Sequence, residues 1–145
     1  MDKPDNMPWL TPYLTVKDAK ASLEFYEQAF GLEPGMTLPA SDGTLMHAEM
    51  HYKGQVLFMM GPECPENPNP TPNKTGIGSP VGLFVYVDDV DAATQRALDA
   101  GIVHVSGPTD MFWGDRVAGF RDLDGHRWTL ATKVAEFDPT NVPEM

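Results

Sequence analysis

Apolar positions change period several times along the chain, and the changes mark its elements. Residues 11–16, TPYLTV, hold the β-branched and aromatic side chains of a short strand. In KDAKASLEFYEQAFGLE, Ala19, Leu23, Tyr26 and Phe30 recur at helical spacing, with Asp18 placed to cap the start and Gly31 the end. MTLPASDGTLMHAEM predicts two strands about the turn Ser41–Asp42–Gly43, and HYKGQVLFMM continues as a hairpin through Lys53–Gly54. Residues 61–80, GPECPENPNPTPNKTGIGSP, contain six prolines and three glycines, which predicts a linker without regular structure. The pattern then restarts. VGLFVYV (81–87) reads as a strand, DDVDAATQRALDAG (88–101) as a helix ending at Gly101, and IVHVSG as the opening of another strand. MFWGDRVAGFRDLDGHRWTLAT (111–132) supplies a last hairpin.

The two halves correspond in more than element order. Asp18 and Asp89 stand 71 residues apart, as do Gly54 and Gly125, while QVLFMM at 55 and RWTLAT at 127 stand 72 apart. The expected fold is therefore α+β, with two βαβββ modules in one domain and a curved mixed sheet forming a cleft. Module one covers about residues 8–60, the linker 61–80, module two about 81–135, and a short tail follows. Each module has one apolar helix face and an alternating sheet, so neither is expected to bury itself alone.

Composition narrows the function. The chain has 145 residues, 41% of them hydrophobic, and a formal net charge of −11. That charge repels a phosphate backbone and argues against nucleic acid as a partner. No apolar run approaches the ~20 residues of a membrane helix. The start, MDKPDNMPW, lacks a basic region followed by an apolar run, so no leader is expected. Cys64 is the one cysteine, which excludes a disulfide and suits the cytoplasm. No base is tied to it by pattern, and it reads as an incidental loop cysteine rather than a nucleophile.

The paired βαβββ plan resembles the vicinal oxygen chelate superfamily of glyoxalases, bleomycin-resistance proteins and dioxygenases. The resemblance is carried by PYLTVKDAKASLEFYEQAFGLE, HAEM, VYVDDVDAATQRALDAG, MFWGDR and GFRDLDGHRWTLAT, and the last segment is most similar to the PhnB-like, glyoxalase-like branch. It implies a small-molecule ligand and a homodimer. Metal-using members of the superfamily take one His, Gln or Glu from the first and last strand of each half. The matching positions here are Thr11, Phe58, Gly82 and Thr129. None is an ordinary transition-metal ligand, so no metal and no cofactor are expected. A slip of one residue, to Pro12, Leu57, Leu83, Trp128 or Leu130, does no better.

Strand parity assigns faces. With Lys53–Gly54 as a two-residue turn, Met50 pairs with Leu57 and Glu49 with Phe58. Ala48, Met50, Leu57 and Met59 then lie under the helices, and His47, Glu49, Phe58 and Met60 line the cleft. In the second half, Val81, Leu83, Val85 and Val87 are expected under the helix, and Gly82, Phe84 and Tyr86 in the cleft. Pairing Arg121 with His126 places Arg116, Ala118 and Phe120 beside Thr129 on the cleft side, and Trp128 and Leu130 on the helix side. A mostly apolar face with a few polar groups suits a small-molecule pocket.

Each polar candidate has a chemical and a plainer reading. Arg116 either holds an anionic ligand group or pairs with Asp115 or Glu49. His47 and Glu49 form a proton-handling pair, part of a displaced metal site, or a hydrogen-bonded pair that shapes the cleft. His51 shares their strand face. Tyr13 and Tyr86 offer hydroxyls or fill space, and Met111, Phe112 and Trp113 wall the pocket or pack at a contact. Asp122, Asp124 and Gly125 read as turn formers, His126 as exposed or turn-bonded, and Trp128 as core. The expected function is binding of a small organic molecule in a cleft lined by Tyr13, Phe58, Met60, Phe84, Tyr86, Trp113, Arg116 and Thr129. The alternatives are a lyase or isomerase using His47 and Glu49, with or without a displaced divalent metal, and a ligand-free module whose 61–80 loop contacts a partner.

Overall fold

A computed structural model describes residues 2–144 and shows two compact units, the first ending at Ile77 and the second starting at Gly78. The first unit contains β1 (Tyr13–Thr15), α1 (Ala19–Phe30), β2 (Glu33–Pro39), β3 (Leu45–Tyr52), β4 (Gln55–Gly61) and the single turn α2 (Pro72–Thr75). Its open sheet has the order β1-β4-β3-β2, with β1 parallel to β4 and the other pairs antiparallel. The second unit repeats the plan with β5 (Gly82–Tyr86), α3 (Val90–Asp99), β6 (Val103–Asp110), β7 (Asp115–Arg121) and β8 (Arg127–Lys133), in the order β5-β8-β7-β6. A 3-10 turn follows at Pro139–Asn141. No helix among the described residues is long and apolar enough to cross a membrane.

The repeat seen in the sequence reappears in the caps. Asp18 accepts the backbone N–H groups of Lys20 and Ala21 at 3.0 and 3.1 Å, and Asp89 accepts those of Asp91 and Ala92 at the same distances. Each carboxylate satisfies donors that the first helical turn leaves unpaired. Gly31 ends α1 at φ 67°, a left-handed conformation that favours glycine. The helix buries Ala19, Ser22, Phe25, Tyr26 and Ala29, while Leu23 and Phe30 flank that stripe at intermediate burial. Tyr26 meets Phe58 edge to face at 4.9 Å, and Met50 and Met60 complete a fully buried layer around them.

Two registers differ from the expected ones. Tyr52 pairs with Gln55 and His51 with Val56, but Met50 then pairs with Phe58 and Ala48 with Met60. Leu57 is an extra residue on β4, a bulge that advances everything beyond it by one place. A slip of one exchanges the faces of a strand. Phe58 and Met60, expected in the cleft, therefore sit in the core at 1% and 0% exposure, and Leu57 and Met59 take the half-buried positions. In the second unit Arg121 pairs with Arg127, Phe120 with Trp128 and Ala118 with Leu130. The loop is one residue longer than the Asp-Gly signal suggests. Ala118 and Phe120 consequently lie in the core with Trp128 and Leu130. Val81, expected under the helix, precedes β5 and is 61% exposed.

The loop between β7 and β8 is organised by one side chain. Asp122 accepts the N–H groups of Asp124 and His126 and the indole Nε1–H of Trp128, at 3.1, 2.9 and 2.8 Å. Asp122 and Asp124 thus act as turn formers, Trp128 is core, and His126 is turn-bonded through its backbone to Asp122 and is buried, not exposed. The proline-rich segment also carries some order. Cys64 and Asn67 bond each other through their backbones, and Thr71 caps α2 with Pro72 at its first position. Proline at the first helical position forfeits no hydrogen bond, so the composition that predicts irregularity permits this turn. The side chain of Asn67 donates to Thr15 Oγ1 at 3.1 Å, fastening the segment to β1.

Candidate functional site

Each sheet has one face under its helix and one open face. On the open face of the first sheet, alternation along β3 places His47, Glu49 and His51 side by side, and β1 adds Tyr13. They form a continuous polar chain. Tyr13 Oη meets His47 Nδ1 at 3.2 Å, His47 Nε2 lies 4.0 Å from Glu49 Oε2, and Glu49 Oε1 meets His51 Nε2 at 3.3 Å. His47 and Glu49 are mostly covered, with side-chain exposures of 16% and 12%. Two glycines make room for the ends of the chain. A Cβ on Gly61 would lie 2.7 Å from Tyr13 Oη, and one on Gly35 would overlap the His51 ring.

Tyr13 also walls an open pocket of about 570 Å³, together with Met46 and the proline-rich segment at Pro62, Cys64, Asn67 and Asn69. Burial pushes the Tyr13 hydroxyl above its ordinary pKa, and the neighbouring Cys64 adds to the rise. The hydroxyl therefore holds its proton and is positioned to share it with His47.

On the open face of the second sheet, β5 presents Phe84 and Tyr86, 50% and 57% exposed, with their rings edge to face at 5.4 Å. Thr129 pairs with Phe84 across β8 and lies on the same face. Asp115, at the start of β7, is 4% exposed. Its Oδ2 accepts hydrogen bonds from Tyr86 Oη at 2.7 Å and Trp113 Nε1 at 2.8 Å. The bond to Asp115 is the main reason the Tyr86 hydroxyl is held above its ordinary pKa.

Arg116 does not join this face. It follows Asp115 in an extended strand and so points the other way. Its guanidinium bonds Asp110 through Nε at 2.6 Å and Asp91 through Nη1 at 2.8 Å. The ion-pair reading holds in kind, with partners other than Asp115 and Glu49, and these carboxylates keep the guanidinium firmly protonated.

The open faces thus gather His47, Glu49 and Tyr13 in one unit, and Phe84, Tyr86, Trp113 and Thr129 in the other. Phe58, Met60 and Arg116 leave the set because of the two registers. Asp115 is the main addition. In the sequence it appears only as a partner for Arg116, and its place between Tyr86 and Trp113 depends on β7–β8 and β5–β8 pairing.

The family model described as Glyoxalase/Bleomycin resistance protein/Dioxygenase superfamily matches residues 7–130. The chain belongs to this superfamily. It is 38% identical over 132 residues to an uncharacterized protein of Mycobacterium bovis, covering 89% of this chain and 86% of that protein. Among solved structures it is similar to TioX from Micromonospora sp. ML1, with a TM-score of 0.69, 24% identity and coverage of 90% of this chain and 100% of that one. It is also similar to TnmS3, an antibiotic binding protein from Streptomyces sp. CB03234, with a TM-score of 0.60, 25% identity and coverage of 83% and 91%.

The metal that some superfamily members use does not fit the residues at the corresponding positions. Phe58 is sealed in the core, Gly82 has no side chain, and Thr11 and Thr129 bear hydroxyls. Along β3, His47 and His51 approach different oxygens of Glu49, in line rather than around a point. Among the described residues no group of three or more His, Cys, Asp or Glu is gathered to hold an ion.

Proposed function

We propose that this superfamily member binds a small organic molecule on an open sheet face and holds it without turning it over. The observation that carries the reading is the pair Phe84 and Tyr86, two large aromatic side chains at least half exposed on a face no helix covers. Exposed rings beside a few fixed polar groups are the makings of a small-molecule site. The likeness to TnmS3, an antibiotic binding protein, supports it. A panel of aromatic antibiotics and metabolites tests it by calorimetry. Micromolar binding to the parent chain, weakened at least about tenfold in Phe84→Ala, is the expected result. Failure of every compound to bind overturns it. The reading includes a homodimer in the cytoplasm, the first supported by the family resemblance and the second by the free thiol of Cys64. Light scattering at the monomer mass of 15.9 kDa would overturn the dimer.

A second reading, a lyase or isomerase, is favoured by the polar row Tyr13–His47–Glu49–His51, in which Tyr13 is hydrogen-bonded to His47, Glu49 to His51, and His47 lies 4.0 Å from Glu49. A histidine between a hydroxyl and a carboxylate can take up and return a proton near neutral pH. An activity found by substrate screening should then fall about 100-fold or more in His47→Ala and Glu49→Gln. Unchanged turnover in both variants discards this reading.

A further inference from the structure

We infer that Asp115 is an anionic recognition point and that the molecule taken by the second open face is a planar organic cation, a protonated aromatic amine or heterocycle. This deepens the binding reading and rests on it.

Four observations converge. Asp115 is 4% exposed, yet among the described residues no basic side chain is bonded to it. Arg116 is committed on the other face to Asp110 and Asp91, and Lys133, the residue across the β7–β8 register, is bonded to Glu136 at 2.8 Å. Both donors that reach the carboxylate converge on Oδ2, and none among the described residues reaches Oδ1. Among the described residues the sealed side-chain atoms without a partner are Thr11 Oγ1 and Thr94 Oγ1; Oδ1 is not one of them and keeps some contact with solvent.

The surroundings suit a flat cation. A buried carboxylate is costly until an opposite charge reaches it, so a cationic ligand gains more here than at an exposed aspartate. Tyr86 and Trp113 fix the carboxylate with their polar atoms, and Phe84 and Phe112 extend the aromatic surface at ring distances of 5.4 and 5.0 Å. Aromatic faces attract cations and stack on planar ones. The net charge of −11 raises the local concentration of such a ligand.

The test uses two dyes of nearly the same shape, 9-aminoacridine and acridine, at a pH where the first is protonated and the second neutral. The expected result is a preference of at least tenfold for 9-aminoacridine, lost in Asp115→Asn while acridine still binds. Asparagine keeps an oxygen for Tyr86 and Trp113, removes the charge, and puts an amide N–H donor where Oδ1 stood. Glu24→Gln, which removes one charge from the exposed side of α1, should keep the preference. Equal binding of the two dyes, or a preference that survives Asp115→Asn, overturns the cation while leaving small-molecule binding intact. No binding of either dye overturns the inference, and the wider antibiotic panel then decides the parent reading. A second measurement needs no change at Asp115. Quenching by 9-aminoacridine should lose its main component in Trp113→Phe, and a quench unchanged by that substitution overturns the placement.

Discussion

The imidazole of His51 occupies the space that a side chain at Gly35 would fill. Glu33 pairs with His51 and Pro34 with Met50, the register shifts between Pro34 and Thr37, and β2 crosses the ring of His51 at Gly35, its one residue without a Cβ. Gly35→Ala should turn His51 off Glu49, seen as a changed chemical shift of the His51 ring protons by NMR. Gly61→Ala is the sharper case, because its Cβ would meet the carbonyl oxygen of Met46 at 2.8 Å as well as Tyr13 Oη. Backbone cannot step aside, and we expect a loss of about 1–3 kcal/mol by urea unfolding.

Asp122 holds the β7–β8 loop through three donors, two of them from backbone and one from the buried Trp128. Asp122→Ala strands these donors where water hardly reaches. The expected destabilisation is roughly 2–4 kcal/mol, since each buried donor left unpaired costs about 1–3 kcal/mol and the loop can partly relax. Asp122→Asn should cost less. A loss under about 0.5 kcal/mol, the scatter of surface substitutions, would refute the role of Asp122.

Thr94 predicts a gain. Its Oγ1 is sealed in the protein with no hydrogen-bond partner among the described residues, on a helix whose neighbouring Val90 and Ala97 are core. Thr94→Val keeps the shape and branching and removes the orphaned hydroxyl. Stability should rise by about 1 kcal/mol, and a fall of that size would mean the hydroxyl is satisfied in solution.

The two ends of the pH range should respond in opposite senses. Tyr86 is raised above its ordinary 10.0 chiefly by donating to Asp115. Its contribution is complete below that unfolded value and is lost as pH rises through the higher folded one. Asp110 is lowered from 3.8 by its hydrogen bond to Arg116, so its contribution is present above that value and lost as pH falls through the lower folded one. Phenolate absorbance should show two tyrosines that titrate late, Tyr13 and Tyr86, and Asp115→Asn should bring one of them earlier. Arg116→Gln should start acid unfolding at a higher pH while leaving the tyrosine titration unchanged.

The elements and their repeat were legible because they depend on local chemistry. The caps Asp18 and Asp89 stand in the chain at the same spacing as in the fold, and Gly54 and Gly125, paired at the same spacing, both take positive φ in their turns. The faces were legible only while the register ran regularly. His47, Glu49 and Tyr86 needed no more than alternation, and their faces read correctly. Phe58 and Met60 lie beyond the Leu57 bulge, and nothing in QVLFMM marks that residue as extra, because Val, Leu, Phe and Met serve either face. Arg116 and Phe120 were displaced by a loop whose length is set by Asp122 reaching Trp128 Nε1, a contact between residues six apart that a turn motif does not show.

The Leu57 bulge has an evolutionary corollary. Insertion or deletion of one residue between Gln55 and Phe58 leaves hydropathy almost unchanged, yet exchanges which side chains the face opposite the helix presents and which ones Tyr26 packs against. A gap-free alignment between this chain and a relative lacking the bulge will match core columns to contact columns from Phe58 onward. Specificity within such a lineage can then diverge through a change of length with no change of residue type. Face positions on β4 are better counted back from Gly61, which β1 fixes through Thr15, than forward from the Lys53–Gly54 turn.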